Sequence, residues 1–143
     1  MTHSADVANI LTHCKTIAVV GLSPKPERAS FDVARYMQAQ GYRIVPINPN
    51  SGVVQILGET VYASLEEAAI NQPVDQPIDL VSCFRNSEDI PPIVNAAIAI
   101  QAKAVWMQLG IANADAASKA QAAGLLVVQD RCIKIDHRTL RFS

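Results

Sequence analysis

The residues best suited to hold a charged small molecule fall together in TIAVVGLSPKPER, positions 16–28. Gly21 permits a positive φ and lets a ligand approach the backbone closely. Ser23 offers a hydroxyl, and Lys25 and Arg28 place two cations within four positions. Pro24 and Pro26 stiffen the segment and reduce the entropy lost when a ligand orders it. The guest such a loop suits is a polyanion carrying phosphates. The bland alternative is an exposed loop with ordinary surface charges.

These residues need elements that position them. Residues 16–20 form a short apolar run rich in β-branched side chains, which reads as a strand buried on both faces. Residues 22–29 are too proline-rich for a helix. Ser30 is expected as the N-cap of an amphipathic helix over residues 31–40, FDVARYMQAQ, stopped by Gly41. Strand, loop and helix in that order mark the phosphate position of a doubly wound sheet, at the carboxyl end of the first strand.

The rest of the chain repeats the alternation. A first helix is expected over residues 5–13, capped by Ser4, with Val7, Ile10, Leu11 and Cys14 on one face. Residues 42–47 form a second strand, irregular at its end because Pro46 lacks a donor, and run into Asn48-Pro49. A short edge strand is expected over residues 58–62. Ser64 with Glu67 makes a capping box for a short helix. Residues 78–84, IDLVSCF, form a strong strand that presents Phe84 and Arg85 at the edge shared with Gly21 and Asn48. Ser87 caps a helix to about residue 101, with Pro91 and Pro92 close to its first turn. Residues 104–109 form a further strand, with Trp106 in the core and Gln108 as a candidate amide lining the site. Asn113 caps a helix over 114–123, residues 125–129 form the last strand, and the tail DRCIKIDHRTLRFS reads as extended. The fold class expected is α/β: a single Rossmann-like domain over 1–143, with a mostly parallel five-stranded sheet and helices on both faces.

Composition narrows the function classes. Half of the 143 residues are hydrophobic, and the net charge of −1 leaves no electrostatic footprint for nucleic acid. No apolar run approaches the ~20 residues of a membrane span. The start MTHSADVANILTHCK has neither the basic opening nor the long apolar core of a signal peptide, so a cytoplasmic setting is expected. The three cysteines form no CxxC and no zinc spacing, which fits reduced thiols.

Taken together, VVGLSPKPERASFDVARYM, GYRIVPINPN, LVSCFRNSEDIPPIV, AKAVWMQLGI and AAGLLVVQDRCIKIDH resemble the small stand-alone CoA-binding proteins. That family is related to the CoA-binding N-terminal domain of the succinyl-CoA synthetase alpha subunit. The resemblance implies a nucleotide-binding, Rossmann-like domain for coenzyme A. By position in those motifs, Gly21, Leu22, Ser23, Lys25 and Arg28 line the phosphates. Asn48 and Pro49 border the adenosine, and Phe84 and Arg85 close the adenine side. The loop departs from GxGxxG, with Ser at position 23. The synthetase domain has a lysine shortly after its second-strand Thr-Pro, whereas this chain reads Asn50-Ser51-Gly52, leaving Lys25 or Arg28 to meet the 3′-phosphate.

The expected function is therefore binding of coenzyme A or an acyl-CoA without chemistry of its own, since no catalytic constellation is complete. The synthetase subunit carries its reactive histidine outside this domain. Two alternatives stand beside it. One is an NADP-dependent oxidoreductase fragment, since Lys25 and Arg28 also suit a 2′-phosphate. The other is a thiol redox sensor built on Cys132, with Arg131 and Lys134 near it in sequence and His137 five positions on.

Overall fold

Strands and helices alternate along the chain in the computed structural model, which describes residues 4–141. The elements are α1 (Ser4–His13), β1 (Thr16–Val20), α2 (Ala29–Ala39), β2 (Arg43–Ile47), β3 (Gln55–Ile56), β4 (Glu59–Thr60) and α3 (Leu65–Ile70). They continue with β5 (Leu80–Cys83), a 3-10 turn (Ser87–Asp89), α4 (Ile90–Ala99), β6 (Ala104–Met107), α5 (Ala114–Ala122), β7 (Leu126–Val128) and α6 (Ile133–Arg141). Five strands make one parallel sheet in the order β2-β1-β5-β6-β7. The strands are mostly apolar because helices cover both faces. Val7, Ile10, Leu11 and Cys14 of the α1 segment, Val33, Ala34 and Met37 of α2, and Ile133 of α6 join one core layer with Trp106. Leu65 and Ala68 of α3, Ile90, Val94 and Ala97 of α4, and three alanines of α5 join the other.

The strands start in register because Asp79 ties them. Its carboxylate accepts the N–H groups of Lys15 and Thr16, each at 2.9 Å, at the amino end of β1. On α2, Ala34 and Met37 are buried and Phe31 packs beside them.

Several local expectations are corrected. Ser30 is not a cap: α2 starts at Ala29, and the buried Ser30 Oγ accepts the Ser23 N–H at 3.0 Å. β2 stays regular through Pro46, because it is an edge strand of the main sheet. The Pro46 carbonyl faces outward and accepts the Tyr62 N–H at 3.0 Å, so the missing donor falls on that outer side. The segment around residues 58–62 gives a two-residue hairpin, β3-β4, and a single bridge from Tyr62 to Ile47 rather than one edge strand. Ser87 opens the 3-10 turn, where its Oγ accepts the Ala112 N–H at 3.1 Å instead of capping a helix. The tail is not extended: residues 133–141 are helix α6. Ser64 and Asn113 do cap, accepting Glu67 N–H at 3.1 Å and Ala116 N–H at 3.0 Å.

Candidate ligand-binding site at the carboxyl edge of the sheet

The ends of three strands are level. Val20 pairs with Ile47 on one side and Cys83 on the other, so Gly21, Asn48 and Phe84 leave the sheet side by side. Gly21 has φ +89°, and a Cβ there would lie 2.5 Å from the Phe84 carbonyl oxygen and 3.0 Å from Arg85 Cδ. The space that the absent side chain leaves is thus filled by the chain's own β5 end. Gly21 is needed for the close approach of the two strand ends.

A cavity of about 390 Å³ opens beside it, between the strand ends and the starts of α3 and α4. Of the residues singled out in the sequence, Gly21, Asn48, Pro49 and Arg85 line it, and Leu22, Ser23, Lys25, Arg28 and Phe84 do not. Its opposite wall is apolar and was not read from the sequence as part of a site: Ala63, Leu65, Pro92, Ile93 and Ala96. The available signal was their place just before or within helices that start at this edge, although Ile93 also fits an ordinary core stripe. The volume falls in the range of small-molecule sites, ~300–1,000 Å³.

Asn48 locks the surrounding loops. Its Nδ2 donates to the Leu22 carbonyl at 3.0 Å, and its Oδ1 accepts the Asn50 N–H at 2.9 Å. The Leu22 side chain is fully buried, so this residue meets a ligand only through its backbone. Ser23 Oγ accepts the Lys25 N–H at 3.1 Å, which folds the loop tip. Lys25 and Arg28 are exposed on that tip, outside the cavity wall. Among the described residues neither has a carboxylate partner. Arg28 is also the N-cap position of α2 and makes no side-chain capping bond. The first-turn N–H groups of α2 lack intrahelical acceptors and carry the positive end of the helix dipole.

Arg85 stands on the other side of Gly21. Its Nη2 lies 3.5 Å from Asp89 Oδ2, a long pair with both side chains exposed, and such pairs are weak. Arg85 also lines a second recess of about 510 Å³, with Phe84, Ser87, Glu88, Gly110 and Ile111. A third, of about 310 Å³, shares Asn48, Pro49 and Ala63 with the first and adds Val53, Val54 and Glu67. The first recess thus shares Arg85 with the second and Asn48, Pro49 and Ala63 with the third, and all three lie along the carboxyl edge of the sheet. Phe84 is half-buried and packs partly on the core.

Gln108 is not part of the lining. It is 2% exposed, donates to Ser82 Oγ at 2.9 Å and accepts the Ile133 N–H at 3.1 Å. Cys132 and His137 are not paired either. Cys132 precedes α6, and His137 Nδ1 instead shares a 2.8 Å hydrogen bond with Tyr36 Oη. Burial pushes the thiols of Cys14 and Cys83 up to about 12, with Asp79 adding to the rise at Cys14. No group of three or more potential metal ligands occurs among the described residues. No helix among them is long and apolar enough to cross a membrane.

The parallel sheet with its ligand-sized cavity at the strand ends places the molecule in the Rossmann-like α/β class. Residues 15–138 match the family model described as a CoA binding domain, and the chain belongs to that family. A protein of Bacillus subtilis, YneT, is 38% identical over 133 residues, 93% of each chain. The crystal structure of Prb, a protein redesigned for binding, superposes with a TM-score of 0.88 at 35% identity, over 100% of this chain and 95% of that one. A hypothetical protein from Pyrococcus horikoshii superposes with a TM-score of 0.85 at 36% identity, over 97% of this chain and 92% of that one.

Proposed function

We propose that the protein binds coenzyme A or an acyl-CoA across the carboxyl edge of its sheet and performs no chemistry of its own on it. The observation that carries this reading is the uncapped first turn of α2, with its unpaired Lys25 and Arg28, beside a cavity that opens at Gly21. The phosphates meet the loop of residues 21–28 and the α2 N–H groups. Arg85 is released from its loose pair with Asp89 to serve the same anion. The uncharged parts of the ligand take the apolar wall between α3 and α4. Charge-assisted hydrogen bonds of this kind are worth roughly 1.5–3 kcal/mol each before ordering costs.

The test is thermal unfolding of the protein with coenzyme A, dephospho-CoA, NADP and NAD in parallel. Ligand at ~100 times its dissociation constant stabilises the fold by about 2.7 kcal/mol, several degrees in a domain of this length. Coenzyme A is expected to raise the midpoint, and Arg28→Ala to remove most of the rise. A shift with NADP and none with coenzyme A would transfer the site to a nicotinamide cofactor.

A further inference from the structure

Arg85 is the one residue common to the walls of the first recess and the second. Its stem lies against Gly21, with Cδ 3.0 Å from where a Cβ would stand. Its Nη2 meets Asp89 Oδ2 at 3.5 Å, and Asp89 lines only the first recess. Asp89 holds the N-cap position of α4, where an aspartate ordinarily accepts the N–H of the second or third helical residue. Those residues are Pro91 and Pro92, which have no N–H to give, and Asp89 makes no side-chain capping bond. Among the described residues Arg85 is the only cation paired with this carboxylate, and Asp89 the only carboxylate paired with Arg85. The side chains are 44% and 39% exposed, so the pair is easily opened. The α4 dipole also favours an anion at position 89, but that effect bears on folding.

We propose, resting on the coenzyme A reading above, that Asp89 is a latch on Arg85. It competes with the anionic ligand for the guanidinium and lowers affinity by the strength of the pair that the ligand must open. When phosphates occupy the loop of residues 21–28, the guanidinium beside Gly21 passes from Asp89 to them. A charge-assisted hydrogen bond to the ligand then replaces a 3.5 Å ion pair within the chain. Asp89 is a positioning residue in this scheme, because it acts through Arg85 and not on the ligand. With no N–H of the α4 first turn for it to cap, the carboxylate is available for that task. An exposed pair of this kind corresponds to about threefold in an equilibrium constant.

The experiment is calorimetric titration with coenzyme A of the whole chain and of its Asp89→Asn, Arg85→Gln and doubly substituted variants. Thermal unfolding without ligand shows that each variant is folded at the titration temperature. Asp89→Asn is expected to bind about threefold more tightly than the parent. Arg85→Gln is expected to bind more weakly, and adding Asp89→Asn to it to change little. A gain of the same size in the Arg85→Gln background would mean that Asp89 repels the phosphates directly, and overturns the latch. Binding by Asp89→Asn no tighter than that of the parent overturns it as well. Both results leave the coenzyme A reading standing. Absence of coenzyme A binding by the parent removes that reading, and this inference with it.

Discussion

At the scale of single residues, Gly21 carries the most consequence. The sequence marked it as a point of close approach, and the structure makes the approaching partner the Phe84 carbonyl. Gly21→Ala puts an L side chain at φ +89° and a Cβ 2.5 Å from backbone, so a loss of about 2 kcal/mol or more is expected. Urea unfolding checks it; a midpoint matching the parent would refute the steric argument. The cysteines separate on the same scale. Cys14 and Cys83 are buried with thiols held near 12, and thiolate, not thiol, is the reactive form. A thiol reagent applied to the native protein at mildly alkaline pH is expected to leave both unmodified, and to label all three cysteines once the chain is unfolded. An adduct on Cys83 in the native protein would contradict this.

At the scale of elements, α6 departs furthest from the sequence reading. Of the α6 residues only Ile133 and Asp136 are buried. Its order comes from partners distant in sequence. Lys134 Nζ bonds Asp32 Oδ2 at 2.8 Å, and the Ile133 N–H bonds buried Gln108. Arg131 grips Asp136 at 2.7 and 2.6 Å just before the helix. His137 sits edge-on to Tyr36 and Tyr42, while Lys134 and Lys15 lie over those rings. Burial, with Arg141 adding to it, holds His137 below its ordinary 6.5. The sign follows: the unfolded chain takes up the proton near 6.5 and the folded chain only at lower pH. The contribution is therefore whole above that pH and is lost as pH falls. Between pH ~7.5 and ~5.5 the urea midpoint is expected to decline, with a shallower slope in His137→Phe. Equal slopes in parent and variant would assign the decline elsewhere.

At the scale of the whole molecule, Gln108 fastens the sheet to one of its helical layers. It joins Ser82 of β5 to the first residue of α6 from the end of β6. Trp106 Nε1 adds a 2.8 Å bond to the Arg131 carbonyl on the same side. Gln108→Leu leaves the Ile133 N–H and the Ser82 hydroxyl without these partners in the interior. The expected destabilisation is about 2–4 kcal/mol, read by denaturant unfolding with the single tryptophan as probe. Near-parent stability would mean that both groups find new partners.

Taken alone, the sequence determined the alternation of strands and helices, the parallel buried sheet, the α3 and α5 caps and the meeting of Gly21, Asn48 and Arg85 at one sheet edge. Those features are local: apolar runs of strand length, helical spacing and caps act over a few residues. Tertiary structure decided the rest. The turn of residues 23–30, the helicity of residues 133–141 and the apolar wall from α3 and α4 depend on groups brought together from distant positions. Ser30 reads as a cap until Ser23 claims its hydroxyl. Gln108 reads as site lining until Ser82 and Ile133 enclose it.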